Sequence, residues 1–236
     1  WILTRSQKVT AEVTRLLEQY DLGAAATLLY EFLWNEYCDW YIELSKPRLY
    51  QKENILERRT TLAVLTRVLR QTMELLHPFM PFLTEEIWQA LPHLGESVMI
   101  ARWPQPSEKL QFEGAEKEMG LIIDVVRAIR NMRQEANVPP GKKVPAILTG
   151  ALENREILER NLSYLSNLAG LESCQMLAEN VSKPEKSMSA VAGGVTIFLP
   201  MAGLVDIAKE KERYTKELNQ LELEIQKLAT RIENPA

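Results

Sequence analysis

Leu28-Leu-Tyr-Glu-Phe-Leu-Trp-Asn-Glu-Tyr-Cys-Asp-Trp-Tyr-Ile-Glu-Leu-Ser-Lys-Pro-Arg48 is the stretch that decides the fold. At the helical angle Leu29, Leu33, Tyr37, Trp40 and Leu44 fall on one face, Tyr30 and Tyr41 lie beside them, and Phe32 marks the far edge. That arc is wider than a surface helix needs. A helix apolar over most of its circumference is the central member of a bundle, covered on several sides. Its remaining strip, Asn35, Asp39 and Lys46, is polar and mixed in charge, and is either a solvated face or a binding face.

Working outward, residues 2 to 20 carry helical periodicity through Val9, Val13, Leu16 and Leu17, closed by Asp21-Leu22-Gly23. The central helix is expected from Ala24 to Ser45, because Pro47 disfavours the helical conformation of the residue before it. A third helix from Glu53 to Leu76 carries Leu56, Leu62, Leu65, Val68, Leu69 and Met73, and Pro78 ends it. The apolar turn His77-Pro-Phe-Met-Pro-Phe leads into a short helix near residues 83 to 91. These elements make an antiparallel bundle over residues 1–108. Ser97 to Pro104 is an extended strap, and Pro104-Gln-Pro-Ser marks a boundary.

Residues 109–204 read as a small α+β subdomain. A helix from Glu116 to Glu135 is followed by Val138-Pro-Pro-Gly-Lys-Lys143, a breaker-rich turn with exposed lysines. Strands are expected at 144–149 and 173–177 with a helix over 153–168 between them. A hairpin pairs Ser187-Met-Ser-Ala-Val with Val195-Thr-Ile-Phe-Leu around Gly193-Gly194, giving a mostly antiparallel sheet of three or four strands. From Asp206 to Ile232 the chain reads as one charged helix with Ile207, Tyr214, Leu218, Leu221, Ile225, Leu228 and Ile232 at spacings of three and four, interrupted by Lys211. Residues 205–236 are thus expected to form a truncated coiled-coil arm reaching roughly 40 Å. Its apolar stripe calls for a second strand, and weak self-association through it is expected. The fold class is mainly α: an antiparallel helical bundle, a small α+β subdomain and a long C-terminal coiled-coil helix.

Composition narrows the function classes. The chain of 236 residues is 46% hydrophobic and 25% charged, which describes a folded protein. No apolar run approaches the ~18 residues of a membrane span, and the opening Trp1-Ile-Leu-Thr-Arg lacks the pattern of a secretory signal. A cytoplasmic protein without a membrane partner is expected. A net charge of −4 argues against non-specific coating of nucleic acid, which needs excess lysine and arginine. Cys38 and Cys174 form no CxxC pair and His77 and His93 stand apart, so no metal site is expected. There is no GxGxxG, HExxH or nucleophile elbow, and Pro140-Gly-Lys-Lys fails as a P-loop because Ala136 stands where glycine is required. No catalytic residue emerges. One cluster stands out: Arg127, Arg130 and Arg133 repeat at three, followed by Lys142 and Lys143, five bases against Glu135 and a local balance of +4. It is a solvated face or a phosphate-contacting surface, and arginine's planar fork suits phosphate.

Taken in order, Phe32 to Leu49, His77-Pro-Phe-Met-Pro-Phe-Leu-Thr-Glu-Glu-Ile-Trp88 and Ile129-Arg-Asn-Met-Arg-Gln-Glu-Ala-Asn-Val-Pro-Pro-Gly-Lys142 resemble the C-terminal part of the bacterial valyl-tRNA synthetase family. Leu199-Pro-Met-Ala-Gly-Leu-Val-Asp206 is similar to the start of that family's coiled-coil arm, and Trp1-Ile-Leu-Thr-Arg to the hand-over from its catalytic body. The resemblance implies an anticodon-binding part of a class I aminoacyl-tRNA synthetase, whose whole protein attaches valine to its tRNA using ATP and magnesium. Its partners would be a valine-specific tRNA and the enzyme's own catalytic domain. The family's ATP-binding motifs and editing domain have no counterpart here, and Lys186-Ser-Met-Ser-Ala has the wrong order for the ATP loop. No cofactor and no ligase activity of this chain alone are therefore expected.

The resemblance places Trp34, Asn35, Asp39, Glu43, Lys46 and Arg48 where the bundle approaches the anticodon loop, and exposed aromatics there could stack unpaired bases. Trp40 is assigned to the core, and Trp34 is open between core and stacking. Arg127, Arg130, Arg133, Lys142 and Lys143 are the candidates for backbone phosphates. Two alternatives stand beside this one: the anticodon domain of a sister isoleucyl or leucyl enzyme, which shares a Lys-x-Arg-Leu segment like Lys46-Pro-Arg-Leu49, and a coiled-coil protein-interaction scaffold. The charged heptads after Asp206 favour the valyl family over its sisters.

Overall fold

The structure, a computed structural model, describes residues 1–50, 53–178, 184–201, 215, 218–222 and 225. The chain divides into two compact units, Trp1–Gly120 and Leu121–Ala236. The first begins with α1 (Ile2–Glu18), which buries Ile2, Val9, Val13 and Leu16 at helical spacing. Tyr20 takes a φ of 58° to end it. Asp21 then caps α2 (Leu22–Glu31), its carboxylate accepting from the Ala24 N–H at 3.1 Å.

From Phe32 to Ile42 the helix widens to π winding, in which hydrogen bonds close from i to i+5, and α winding resumes in α3 (Glu43–Tyr50). This changes which residues face inward. Leu29, Phe32, Tyr37, Trp40 and Leu44 are buried, with a step of five from Phe32 to Tyr37 that a regular α-helix would not place on one face. Phe32 is therefore core rather than the edge of the arc, and Leu33 is only half-buried. The expected stop before Pro47 is also corrected, since the helix continues through it to Tyr50. A proline lacks the N–H that would serve the carbonyl four residues back and crowds it with its ring. That carbonyl belongs to Glu43, at the join between the π and α ladders, so the defect falls where the bonding pattern is already changing.

The π segment is pinned on two sides. Arg5 forks onto Glu36, donating from Nε at 2.7 Å and Nη2 at 2.6 Å, and this carboxylate raises the arginine's pKa. The Tyr37 hydroxyl donates to the Leu65 carbonyl at 3.0 Å. Leu65 lies on α4 (Ile55–Leu76), capped by Asn54, whose side chain accepts from the Glu57 N–H at 3.1 Å. Val68 and Leu75 of α4 join Val9, Val13, Leu29, Phe32 and Tyr37 in one core. In α5 (Pro81–Ala90) the proline opens the helix, where its missing N–H would be unpaired anyway, and Trp88 is buried against the His93 ring at 3.9 Å.

The strap that follows makes a 3₁₀ turn at Val98–Ile100 rather than being extended throughout, and it and the residues after it up to Phe112 are fastened to α1. Trp103 Nε1 donates to Thr14 Oγ1 at 2.9 Å, the Ser107 N–H to Gln7 Oε1 at 2.9 Å, and the Phe112 N–H to Thr4 Oγ1 at 2.8 Å. Thr4 and Gln7 are buried, and these bonds satisfy them. The strap is thereby part of the first unit, which ends after Gly120, beyond the proline-rich boundary read at 108.

The second unit takes Leu121, Ile122, Val125, Val126, Ile129 and Met132 of α6 (Glu113–Glu135) into its interior. Its strands are β1 (Val144–Gly150), β2 (Leu171–Leu177), β3 (Ser187–Ala192) and β4 (Val195–Pro200), in the order β2-β1-β4-β3. The pairs β1/β4 and β3/β4 are antiparallel, whereas β1 and β2 run parallel, joined by a helical crossover of the length such a pair needs. That crossover is α7 (Leu152–Arg160) and α8 (Leu162–Ala169), not the single helix expected, because Asn161 leaves helical geometry at φ −110° and ψ 20°. The β3/β4 turn uses Gly193 and Gly194 at φ 57° and 74°, the positive values a two-residue hairpin demands. Val144, Ala146 and Leu148 alternate into the interior with Val195, Ile197 and Leu199. The coiled-coil arm read over 205–236 lies outside the described residues except at 215, 218–222 and 225, which are helical. Among the described residues no helix is long and apolar enough to cross a membrane.

The Tyr37 hydrogen bond gives a direct check on the bundle. Tyr37→Phe keeps the ring but removes the hydroxyl's bond to the Leu65 carbonyl, which retains its place in the α4 ladder, and is expected to lower stability by about 0.5–1.5 kcal/mol. Urea unfolding measures this as a lower midpoint at unchanged slope; an unchanged midpoint would mean that the bond does not hold the segment.

Candidate functional site

The first unit carries an apolar groove of about 580 Å³. One wall is the outer side of α2 and the π-helix, with Ala26, Tyr30, Leu33 and Trp34; the other is the α4–α5 turn, with Leu76, Phe79, Met80 and Leu83. Trp34 is 51% exposed and tilted against Tyr30, with ring centroids 6.2 Å apart at 50°. Tyr30 and Trp34 thus form an exposed aromatic pair on the rim of the groove. The lining is apolar apart from the hydroxyls of Thr27 and Tyr30, and none of its groups is an acid, a histidine or an amine. What it offers is flat apolar surface.

Electrostatics limit what could lie there. Residues 20–45 include Asp21, Glu31, Glu36, Asp39 and Glu43 and no lysine or arginine. A phosphate backbone would find no counter-charge on this wall, so the groove suits a stacked ring, with phosphates held elsewhere.

The other residues singled out on this helix fall away from the groove. Asn35 and Asp39 are exposed on the π segment but do not line it. Glu43 and Lys46 pair with each other at 2.6 Å, and Arg48 pairs with Glu57 at 3.0 Å. Lys46 and Arg48 stand further down the helix by roughly 15–20 Å at helical rise. Exposed pairs of this kind are worth about 0–1 kcal/mol, so both cations remain exchangeable for an external anion. Trp40 is 4% exposed and belongs to the core, as assigned. Sequence reasoning missed Tyr30, Met80 and Leu83 as surface groups. The signal was present in His77-Pro-Phe-Met-Pro-Phe82, a turn whose Met80 and Phe82 are 45% and 90% exposed.

In the second unit the basic cluster sits at the end of α6. Arg127 and Arg130 are exposed, and Arg130 Nε also donates to the Leu168 carbonyl at 2.9 Å. Arg133 does not join them and is 8% exposed, which corrects its assignment as a phosphate contact. Residues three apart drift by about 60° per step on a helix of 3.6 residues per turn, so two steps carry Arg133 about 120° round into the interior. The helix closes as a Schellman motif: the Val138 N–H donates to the Arg133 carbonyl at 2.9 Å and the Asn137 N–H to the Gln134 carbonyl at 3.0 Å, with Asn137 at φ 52°. Lys142 and Lys143 are exposed on the turn that follows.

The helical bundle thus presents an exposed aromatic pair at an apolar groove, and the second unit a basic helix end. Residues 1–148 match the family described as the anticodon-binding domain of tRNA ligase, and the chain belongs to that family. Among its curated relatives, the valine–tRNA ligase of Carboxydothermus hydrogenoformans is 45% identical over 236 residues, 100% of this chain and 26% of the relative. The valine–tRNA ligase of Geobacillus stearothermophilus is 42% identical over 235 residues and that of Enterococcus faecalis 40% over 235, each match covering 99% of this chain and 26% of the relative. The chain therefore spans about a quarter of the length of these relatives.

Burial separates the two tryptophans of the central helix. Trp34→Ala is expected to change stability by less than about 1 kcal/mol, whereas Trp40→Ala is expected to cost about 3–5 kcal/mol. Thermal or urea unfolding of the two variants reads the difference; equal losses would show that Trp34 is a packing residue.

Proposed function

We propose that this chain grips the anticodon stem and loop of a valine-specific tRNA, as part of a longer cytoplasmic protein that attaches valine to that tRNA. The observation that carries the proposal is the half-exposed Trp34 beside Tyr30 at the mouth of an apolar groove, on a chain of the anticodon-binding family. Unpaired loop bases stack on such rings, each stack being worth about 1–3 kcal/mol. Arg127, Arg130, Lys142 and Lys143 serve the phosphates, and Asn35 and Asp39, exposed on the same helix but outside the groove, are the candidates for base edges. ATP and magnesium would act in the remainder of the protein, with this part contributing binding and orientation.

Binding to a valine-specific tRNA transcript, and to the same transcript with its middle anticodon base changed, tests this across a salt series. The base change is expected to weaken binding by about 1–3 kcal/mol, the usual worth of a specific base contact. Trp34→Ala should produce a loss of similar size that does not vary with salt. Lys143→Ala should weaken both transcripts alike and make the salt dependence shallower by about 0.7–0.9. Binding indifferent to the anticodon and to Trp34 would contradict the proposal and assign the groove to a protein segment.

A further inference from the structure

The guanidinium of Arg133 is surrounded by main-chain carbonyls. Nη1 donates to Ala169 at 3.0 Å and Gly170 at 2.6 Å, and Nη2 to Lys142 at 2.8 Å and to Pro139 and Pro140 at 3.4 Å. Burial of the group lowers its pKa. Across from it, Gly170 ends α8 at φ 65°, and its carbonyl also accepts from the Val144 N–H at 3.1 Å. A Cβ on Gly170 would stand 2.5 Å from Arg133 Nη1 and 3.2 Å from Cζ. The fit needs glycine here, both for the left-handed backbone and for the space.

The turn that Arg133 holds has little bonding of its own. Pro139 and Pro140 have no N–H, and the turn's internal main-chain bond is from the Lys142 N–H to the Pro139 carbonyl at 3.0 Å. Without the guanidinium the carbonyls of 139, 140 and 142 would converge on an empty centre. With it, those carbonyls point inward and the Lys142 and Lys143 side chains are left on the outside.

We infer that Arg133 and Gly170 form a latch whose task is to position Lys142 and Lys143 for a phosphate backbone, so that a buried cation sets the geometry of two exposed ones. Arg133 is thus a positioning residue. The inference rests on the RNA-binding reading proposed above, and it deepens that reading by locating where the order of the basic surface comes from. An ordered turn binds without first losing conformational freedom.

The test uses the whole chain, a valine-specific tRNA transcript and, first, two variants that keep every exposed charge. Gly170→Ala and Arg133→Lys, each confirmed as folded by circular dichroism, are expected to weaken tRNA binding severalfold and to make its salt dependence shallower. In the Gly170→Ala background, Lys142→Ala with Lys143→Ala should then cost much less than in the native chain, a non-additivity that a merely structural role would not produce. A folded Gly170→Ala protein with native affinity, or lysine losses that add in full, would overturn the latch. Hydrogen exchange on the native chain gives a reading independent of any variant. The Lys142 and Val144 amides should already exchange slowly without RNA; fast exchange that slows only on binding would also overturn it. If the native chain does not bind the transcript at all, the RNA reading fails, and that outcome is distinct from a failed latch.

Discussion

One change of helical winding governs the first unit. Across Phe32–Ile42 the backbone bonds close one residue later than in an α-helix, and this lets Phe32, Tyr37 and Trp40 share an inward face. The same shift leaves Trp34 outside, against Tyr30 and the groove. Core and groove are two sides of one register. A π segment gives up favourable bond geometry, and here it is held by the Arg5–Glu36 fork on one flank and the Tyr37–Leu65 bond on the other. Wide turns of this kind recur where proteins meet ligands, which fits a helix that must fill a core and present a ring within the same few residues.

Charge separates the tasks of the two units. The segment from residue 20 to 45 that supplies one wall of the groove contains acids and no bases, while the end of α6 and the turn after it carry Arg127, Arg130, Lys142 and Lys143. A surface that binds rings by stacking gains nothing from nearby cations, which would attract any phosphate regardless of sequence. A basic surface, conversely, supplies affinity with little discrimination. Keeping the two apart along the chain allows base choice and backbone grip to be altered independently.

How much of this was legible in the sequence follows from the range of each rule. Local rules worked: Gly193-Gly194 marks a hairpin because only positive φ fits the turn, and the bundle helices follow their apolar spacing. Rules that assume one period failed where the period changed. The α period puts Phe32 at the edge of the arc, and the restriction that Pro47 places on its predecessor stops the helix there, whereas the π winding brings Phe32 inward and the helix runs on through the proline. Arg133 was grouped with Arg127 and Arg130 because residues three apart share a face over one turn, and a second turn breaks that relation. The groove itself could not be read, since its second wall comes from the α4–α5 turn, distant in sequence. The parallel β1/β2 pair was likewise hidden, because a strand's direction beside its neighbour is set by the crossover and leaves no trace within the strand.

The central claim is that Trp34 takes an unpaired base, and a double-mutant cycle tests it most directly. Anticodon stem-loops with and without the middle anticodon base, the latter abasic, are bound to the native chain and to Trp34→Ala. The account predicts that removing the base weakens native binding by about 1–3 kcal/mol and leaves Trp34→Ala binding almost unchanged, so that the two losses are the same interaction counted twice. Losses that add in full would mean that the base and the ring do not meet, and the groove would then have no part in reading the anticodon.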